Sequence, residues 1–367
     1  MKNRKILGTT LIIIMIILAG LSIAMIASVS FPRGLKEYNS HYYFLKRQLM
    51  WLGLGSISFL FTANFNYKKY KQARGILYAV QFLFLIGVLV IGKEANGAKR
   101  WIKMGMFSIQ PSEFAKLVII IYLAGLIDFL KKKREKSLGI LFMTMIPLML
   151  YAFMILLEKS FSSTVQVTLI GLTMIFISGV KMEHFISVLL MLVTLGAGSI
   201  LSMPYRLKRL LGHLENSDEV YQLKQSLIAI GSGKLLGKFY GNGLQKYFYL
   251  PEIHTDYIFS GYAEETGFIG SILLILLYVA LLAVILITVI RIKDMYAKYL
   301  LIGILSMFSL QIIGNLSVVL GLVPSTGIPL PILSYGGSTT IVTMAALGIV
   351  YNIIRALYKQ EIEEEMQ

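Results

Sequence analysis

Ten apolar runs, each close to bilayer-spanning length, limit what this chain can fold into. They fall near residues 8–30, 45–64, 75–92, 113–130, 138–157, 162–180, 184–203, 266–290, 297–320 and 335–355. A hydrocarbon core about 30 Å thick takes about 20 helical residues to cross. Within it every backbone N–H and C=O must find a partner in the chain, so such runs form helices. Apolar residues make up 56% of the 367, more than a water-soluble domain of that size can bury. The expected fold is all-α: a polytopic integral membrane protein with about ten transmembrane helices, in one domain over residues 1–367. The first run has no small-residue cleavage site behind it and reads as a retained helix. The sixth and seventh are parted only by a short stretch with Lys181, Glu183 and His184, which predicts a tight turn. No internal repeat is evident, which disfavours inverted-repeat transporter folds.

The net charge of +16 would suggest nucleic acid in a soluble protein. Here no basic stretch interleaved with aromatics forms a soluble module, so a nucleic-acid partner is not expected. The cations instead read as topology signals and contacts to anionic lipid head groups. One alternating set of loops, holding Lys2, Lys69, Lys132, Lys181, Arg291 and Arg355 among others, carries 18 of the 35 Lys and Arg in roughly 50 residues. The other set carries 17 over roughly 110 residues. Density decides for short loops, so both termini are expected in the cytoplasm. Three unusual segments then face outward: 93–112, 321–334 and the large loop 204–256, far longer than a connection requires. The absence of cysteine excludes disulfides, thiolate metal sites and a cysteine nucleophile.

Chemistry-bearing residues gather in those three segments. In 93–112, Trp101 is an interfacial anchor or a substrate contact. Pro111 and Ser112 mark a helix start, with Ser112 as N-cap and Glu113 near the positive end of the helix. Lys116 lies one turn inside that apolar helix: it snorkels, pairs with Glu113 three residues earlier, or serves function. In the large loop, Arg206, Arg209 and Lys246 suit a pyrophosphate or a head-group-facing rim. Residues 221–230 have helical apolar spacing and suit an interfacial amphipathic segment. Asp256, where the loop re-enters the membrane, is a helix cap or a general base. Glu264 and Glu265, adjacent carboxylates in the next helix, need partners or water. In the third segment, Pro324, Pro329 and Pro331 forbid a regular helix. Irregular backbone at that depth is tolerated only when buried or lining a cavity, so this segment is expected to wall an outward pocket.

Taken together, the stretches NGAKRWI (96–102), QPSEFAKL (110–117), YQLKQSLIAIGSG (221–233), LPEIHTDYIF (250–259), AEETGFIG (263–270) and PSTGIPLPILSYGGS (324–338) resemble the FtsW/RodA/SpoVE family, also called SEDS proteins. They lie in family order at family-like spacing. NGAKRWI is closer to the FtsW/SpoVE branch. Two stretches depart from the family pattern: Glu158 to Thr164, where relatives carry a Pro-Asp-Leu-Gly-Thr type sequence, and the shorter Leu214 to Val220.

The resemblance implies an inverting glycosyltransferase in the cytoplasmic membrane that polymerises lipid II into β-1,4-linked glycan strands on the outer face. It implies division, shape or sporulation as the context and a class B penicillin-binding protein as partner, among membrane lipids. It places the essential acid on Asp256, the loop tryptophan on Trp101 and basic residues on Arg100 and Lys116. The matching stretches add Gln225, His254 and Ser334 to Arg206, Arg209 and Lys246 as substrate-binding candidates. Mg²⁺ or Mn²⁺ is a candidate for the positive charge a leaving pyrophosphate needs; no metal site is identifiable in the sequence. The rival readings are a lipid II flippase and a scaffold of the division machinery, neither of which needs a base at Asp256.

Overall fold

The computed structural model describes residues 6–95, 98–104, 107–201 and 218–365. Each of the ten apolar runs forms a helix. They are α1 (Ile6–Val29), α3 (Tyr43–Asn64), α4 (Tyr67–Ile91), α5 (Pro111–Lys132), α6 (Ser137–Leu157), α7 (Phe161–Ile177), α8 (Met182–Leu201), α10 (Ile258–Arg291), α11 (Met295–Val319) and α12 (Gly337–Glu365). Two further helices, α2 (Phe31–Tyr38) and α9 (Asp218–Ser232), belong to connections. By length and composition alone α1, α4, α6, α10, α11 and α12 can cross a membrane; α7 is apolar but shorter.

The 93–112 segment holds structure that its sequence did not disclose. Strands β1 (Lys93–Ala95), β2 (Ala98–Met104) and β3 (Phe107–Ile109) form an antiparallel sheet in the order β1-β2-β3. Trp101 pairs with Lys93, and Ile102 with Ile109. With only seven residues in its longest strand, the sheet carries too little periodicity to stand out beside polar and glycine residues.

α5 is the central helix. Its Ala115, Ile119, Ile120, Leu123, Ala124 and Ile127 have no exposed surface, and it packs on α4, α6, α7, α11 and α12. α12 packs most extensively on α3. That approach depends on Gly348, where a Cβ would lie 1.9 Å from Thr62 Oγ1 and 2.5 Å from the Phe59 carbonyl. Small residues let membrane helices meet at backbone distance.

α10 contains a break. Gly267 has φ +69° and ψ −165°, so Ile258 to Thr266 forms one helical piece and residues 268–291 another. The stretch after α9 closes the break. Phe268 N–H donates to the Lys234 carbonyl at 2.9 Å, and Ile269 N–H to the Leu235 carbonyl at 3.2 Å. The amides freed by the kink are thus satisfied by another segment. A Cβ on Gly267 would sit 2.3 Å from Gly237 N and 2.6 Å from Leu235 O.

Gly267→Ala is therefore expected to lower thermal stability in detergent. That φ/ψ pair, essentially confined to glycine, alone costs an alanine about 1–3 kcal/mol, before the clash. Gly53→Ala, where nothing lies within 4 Å of the new Cβ, is the control and should leave the melting temperature unchanged or slightly higher.

Candidate functional site

Asp256 lies in a run of turns over residues 251–257, immediately before α10. The N-cap of α10 is Tyr257, without a side-chain cap bond. Thr255 turns its hydroxyl back to Glu252 instead, donating to its carbonyl at 3.1 Å and to Oε2 at 3.2 Å. Neither Thr255 nor Asp256 caps the helix, so the capping reading of Asp256 falls away.

The proline-rich segment stands opposite. Between the end of α11 at Val319 and Gly337 the backbone is non-helical, as three prolines require. A Cβ at Gly327 (φ +67°) would lie 3.5 Å from Asp256 Oδ2. Two side chains knit the segments together. Asn315 of α11 donates to the Asp256 carbonyl and to the Ile328 carbonyl, both at 2.7 Å. Ser334 accepts from Leu330 N–H at 2.9 Å and donates to the Thr255 carbonyl at 2.7 Å. The expected wall behind Asp256 is present. It leaves polar atoms unspent: Asn315 Oδ1 and Thr326 Oγ1 are buried without a hydrogen-bond partner among the described residues.

Electrostatics also mark the same carboxylate. Burial, with the neighbouring charge of Glu252, pushes Asp256 up to about 7. Burial also pushes Glu252 upward, but Arg33 on α2 outweighs it, and Glu252 lies below the ordinary carboxylate value. Arg33 bridges Glu252 at 3.0 Å and Glu37 at 2.8 Å. His254 is buried with its ring 4.7 Å from Phe44 and 5.6 Å from Tyr335; burial lowers it to about 4 against the pull of Glu252. It is therefore neutral at physiological pH.

Several basic candidates are already engaged. Lys116, only 1% exposed, donates to Glu113 Oε1 at 2.7 Å and to Gln166 of α7 at 3.0 Å. Thr339 of α12 holds the other Glu113 oxygen at 2.9 Å. The Glu113–Lys116 alternative raised by the spacing is the one the fold adopts, and it joins α5, α7 and α12. Lys246 is buried too, 3.0 Å from Glu265 Oε1 and 3.0 Å from Ser28 Oγ. Glu264 accepts from Lys238 at 2.8 Å and from the amides of Leu244 and Gln245 at 2.9 and 3.1 Å. The adjacent carboxylates thus clamp the glycine-rich loop onto α10.

Ser112 is corrected as a cap. The cap lies two residues earlier, at Gln110, so that α5 starts at Pro111 and Ser112 is buried in the first turn. Proline's fixed φ suits that first position. Gln225 lies half-buried on α9. Arg100 and Trp101 sit on β2, and the Arg100 guanidinium donates to the Lys159 carbonyl at the α6–α7 turn. Arg206 and Arg209 lie outside the described residues.

Sequence reasoning did not assign roles to Arg33, Asn315 or Glu158. Asn315 carried a signal, a polar side chain within an apolar helix. Arg33 carried none, because its partner is distant in the chain. Glu158 has no exposed surface. Both its oxygens lack hydrogen-bond partners among the described residues, and burial pushes it up to about 8 against the attraction of Arg100. Among the described residues no three His, Asp or Glu side chains converge to hold a metal.

Comparisons with known proteins add to this geometry. The family described as Cell cycle protein (FtsW/RodA/SpoVE) matches residues 9–359. The chain is 36% identical to stage V sporulation protein E of Bacillus subtilis, covering 94% of this chain and 96% of that one. It is 38% identical to a probable peptidoglycan glycosyltransferase FtsW of Coxiella burnetii, covering 94% of each. Among solved structures it resembles a chain from a peptidoglycan synthase complex, with TM-score 0.79, 25% identity and coverage of 95% and 98%. It also resembles the rod shape determining protein RodA of Thermus thermophilus, with TM-score 0.69, 26% identity and coverage of 95% and 96%.

The buried pair on α5 generates a stability prediction. Glu113→Ala strands the Lys116 ammonium and should cost about 3–5 kcal/mol. Glu113→Gln combined with Lys116→Met removes both charges and should recover most of that loss. Thermal unfolding of the purified variants distinguishes the two; equal loss in both would show that the charges themselves are needed.

Proposed function

The chain belongs to the FtsW/RodA/SpoVE family, and from that membership and the setting of Asp256 against the proline-rich segment we propose that it is a peptidoglycan glycosyltransferase polymerising lipid II with Asp256 as general base. It is a multi-pass membrane enzyme of peptidoglycan synthesis, in the service of division, shape or sporulation. Its place is the cytoplasmic membrane, with both termini inside and Asp256 at the outer face. The density of cations at the start of α4 (Lys68, Lys69, Lys71 and Arg74) and around the α5–α6 turn (131–136) supports that orientation.

In the reaction the 4-hydroxyl of one lipid-linked saccharide attacks the anomeric carbon of another. The new C–O bond forms as the bond to the pyrophosphate breaks, so the configuration inverts and the product linkage is β-1,4. Asp256 accepts the hydroxyl proton, and the pyrophosphate leaves with the electron pair. One observation carries the assignment: a carboxylate that faces the proline-rich segment at Gly327, does not cap a helix and is pushed up to about 7. A base of that strength is ionised near neutral pH and still takes a proton. The leaving pyrophosphate needs positive charge. With Lys116 and Lys246 engaged by carboxylates, that role passes to Arg100, Arg206 and Arg209. Trp101, Gln225, His254 and Ser334 complete the proposed contacts, Ser334 and His254 by shaping the setting of Asp256. A class B penicillin-binding protein is the proposed partner, consistent with the similarity to a chain of a synthase complex that coordinates polymerization and crosslinking. No step above is routed through Mg²⁺ or Mn²⁺.

Asp256→Asn keeps shape but cannot accept the proton. Strand synthesis from purified lipid II should fall by roughly 10²–10⁴ with folding intact. Near-normal synthesis would refute the base assignment and favour the flippase reading.

The wild-type rate should rise with pH through about 7, as Asp256 ionises. Glu252→Gln removes the neighbouring negative charge that helps raise Asp256, so the acid limb should move to lower pH. A limb that stays in place would separate Glu252 from the base.

Cysteines introduced singly at Lys132 and Asn242 should react with impermeant reagents from opposite sides of the membrane. Labelling of both from outside would sink the orientation.

A further inference from the structure

The stretch between α9 and the Lys246 clamp holds four large apolar side chains that the fold leaves uncovered. Leu235 is 59% exposed, Leu236 64%, Phe239 69% and Tyr240 61%. Four such residues within six positions make a patch that water does not favour. They cannot fold inward, because the backbone beneath them is fixed. The carbonyls of Lys234 and Leu235 accept from the amides of Phe268 and Ile269, and Lys238 N–H donates to the Glu264 carbonyl at 3.0 Å. Gly237 is packed against the break at Gly267.

The break also gives the depth. Ile258 to Arg291 is 34 residues, about 50 Å of helix, which overshoots a hydrocarbon core of about 30 Å. Residues 268–291 alone span about 36 Å, which fits the core with little to spare. Gly267 therefore lies close to the membrane surface on the Asp256 side, and the turn bonded to it lies at the same level. Its apolar side chains continue the exposed face of α10 below, where Phe268 is 61% exposed, Ile269 46% and Leu273 61%. Tyr240 reaches back to α1, its hydroxyl donating to the Ala24 carbonyl at 2.9 Å, as a ring at head-group level can.

We propose that residues 235–240 form a membrane-inserted knuckle, with Leu235, Leu236 and Phe239 in contact with lipid acyl chains of the leaflet on the Asp256 side. The knuckle holds the glycine-rich loop at the surface where the break in α10 begins. It thereby sets the height of the 250–256 turns above the bilayer. The occupant is bulk lipid, because the patch is continuous with the exposed face of a spanning helix.

The chain has no cysteine, so single nitroxide labels can be placed without altering other residues. The full chain, without a partner, is reconstituted in vesicles of phosphatidylethanolamine and phosphatidylglycerol. Labels go at Leu236 and Phe239, with Leu273 as the lipid reference and Asn242 as the water reference. Collision with oxygen and with a water-soluble nickel chelate is then measured. Labels at 236 and 239 should be rich in oxygen and poor in nickel, at a depth of about 5–10 Å below the lipid phosphates. Nickel accessibility matching Asn242 would overturn the proposal, since the knuckle would then stand in water. Exclusion of both reagents would overturn it as well, and would assign the patch to protein, such as a second copy of the chain. The readout needs no activity, so it stands apart from the assignment of Asp256.

Discussion

The two hydrogen bonds from Asn315 hold the working end of this protein together. One amide group reaches the carbonyl of Asp256 and the carbonyl of Ile328, and so joins two stretches of irregular backbone that have no ladder of their own. A bilayer makes such stretches costly, because an unpaired peptide group at depth finds no water. They persist because each supplies what the other lacks. Ser334 adds a bond to the Thr255 carbonyl, and Tyr335 N–H one to the His254 carbonyl at 2.9 Å. Asp256 and Gly327 face each other across two segments braced in this way.

Buried charge follows the same rule. Lys116 with Glu113, Lys246 with Glu265 and Lys238 with Glu264 are each paired at 2.7 to 3.0 Å, and further hydrogen bonds use the remaining oxygens. A buried pair contributes little net stability, yet its disruption is expensive, so such pairs fix which helices meet. Asp256 is different: its surroundings favour the neutral acid over the anion. A carboxylate left without a cation among the described residues, while others nearby are paired, is the arrangement that the proposed general base requires.

α10 shows how one residue links loop, membrane and site. A continuous helix of its length would overshoot the hydrocarbon core by several turns. Gly267 breaks it, and the chain after α9 fills the break with its own carbonyls. The glycine-rich loop is thereby attached to a spanning helix at one height, with Glu264 and Glu265 holding it a turn above.

Much of this was legible in the sequence because it is local. Spanning length, the prolines at 324, 329 and 331, and the positions of the helices depend on residues near one another in the chain. So does the motif set that carried the family and pointed to Asp256. The meaning of individual polar residues was not local. Lys116 admitted snorkelling, pairing or function, and only the packing of α5 against α7 and α12 chose the pair with Glu113. Asp256 admitted capping as well as catalysis, and the backbone placed Tyr257 at the cap instead. The small sheet over 93–109 and the tie between Arg33 and Glu252 were hidden for the same reason. Helix formation in a bilayer answers a cost met residue by residue. What a buried side chain does answers to whichever distant segment the fold brings within 3 Å of it, and no periodicity in the chain encodes that.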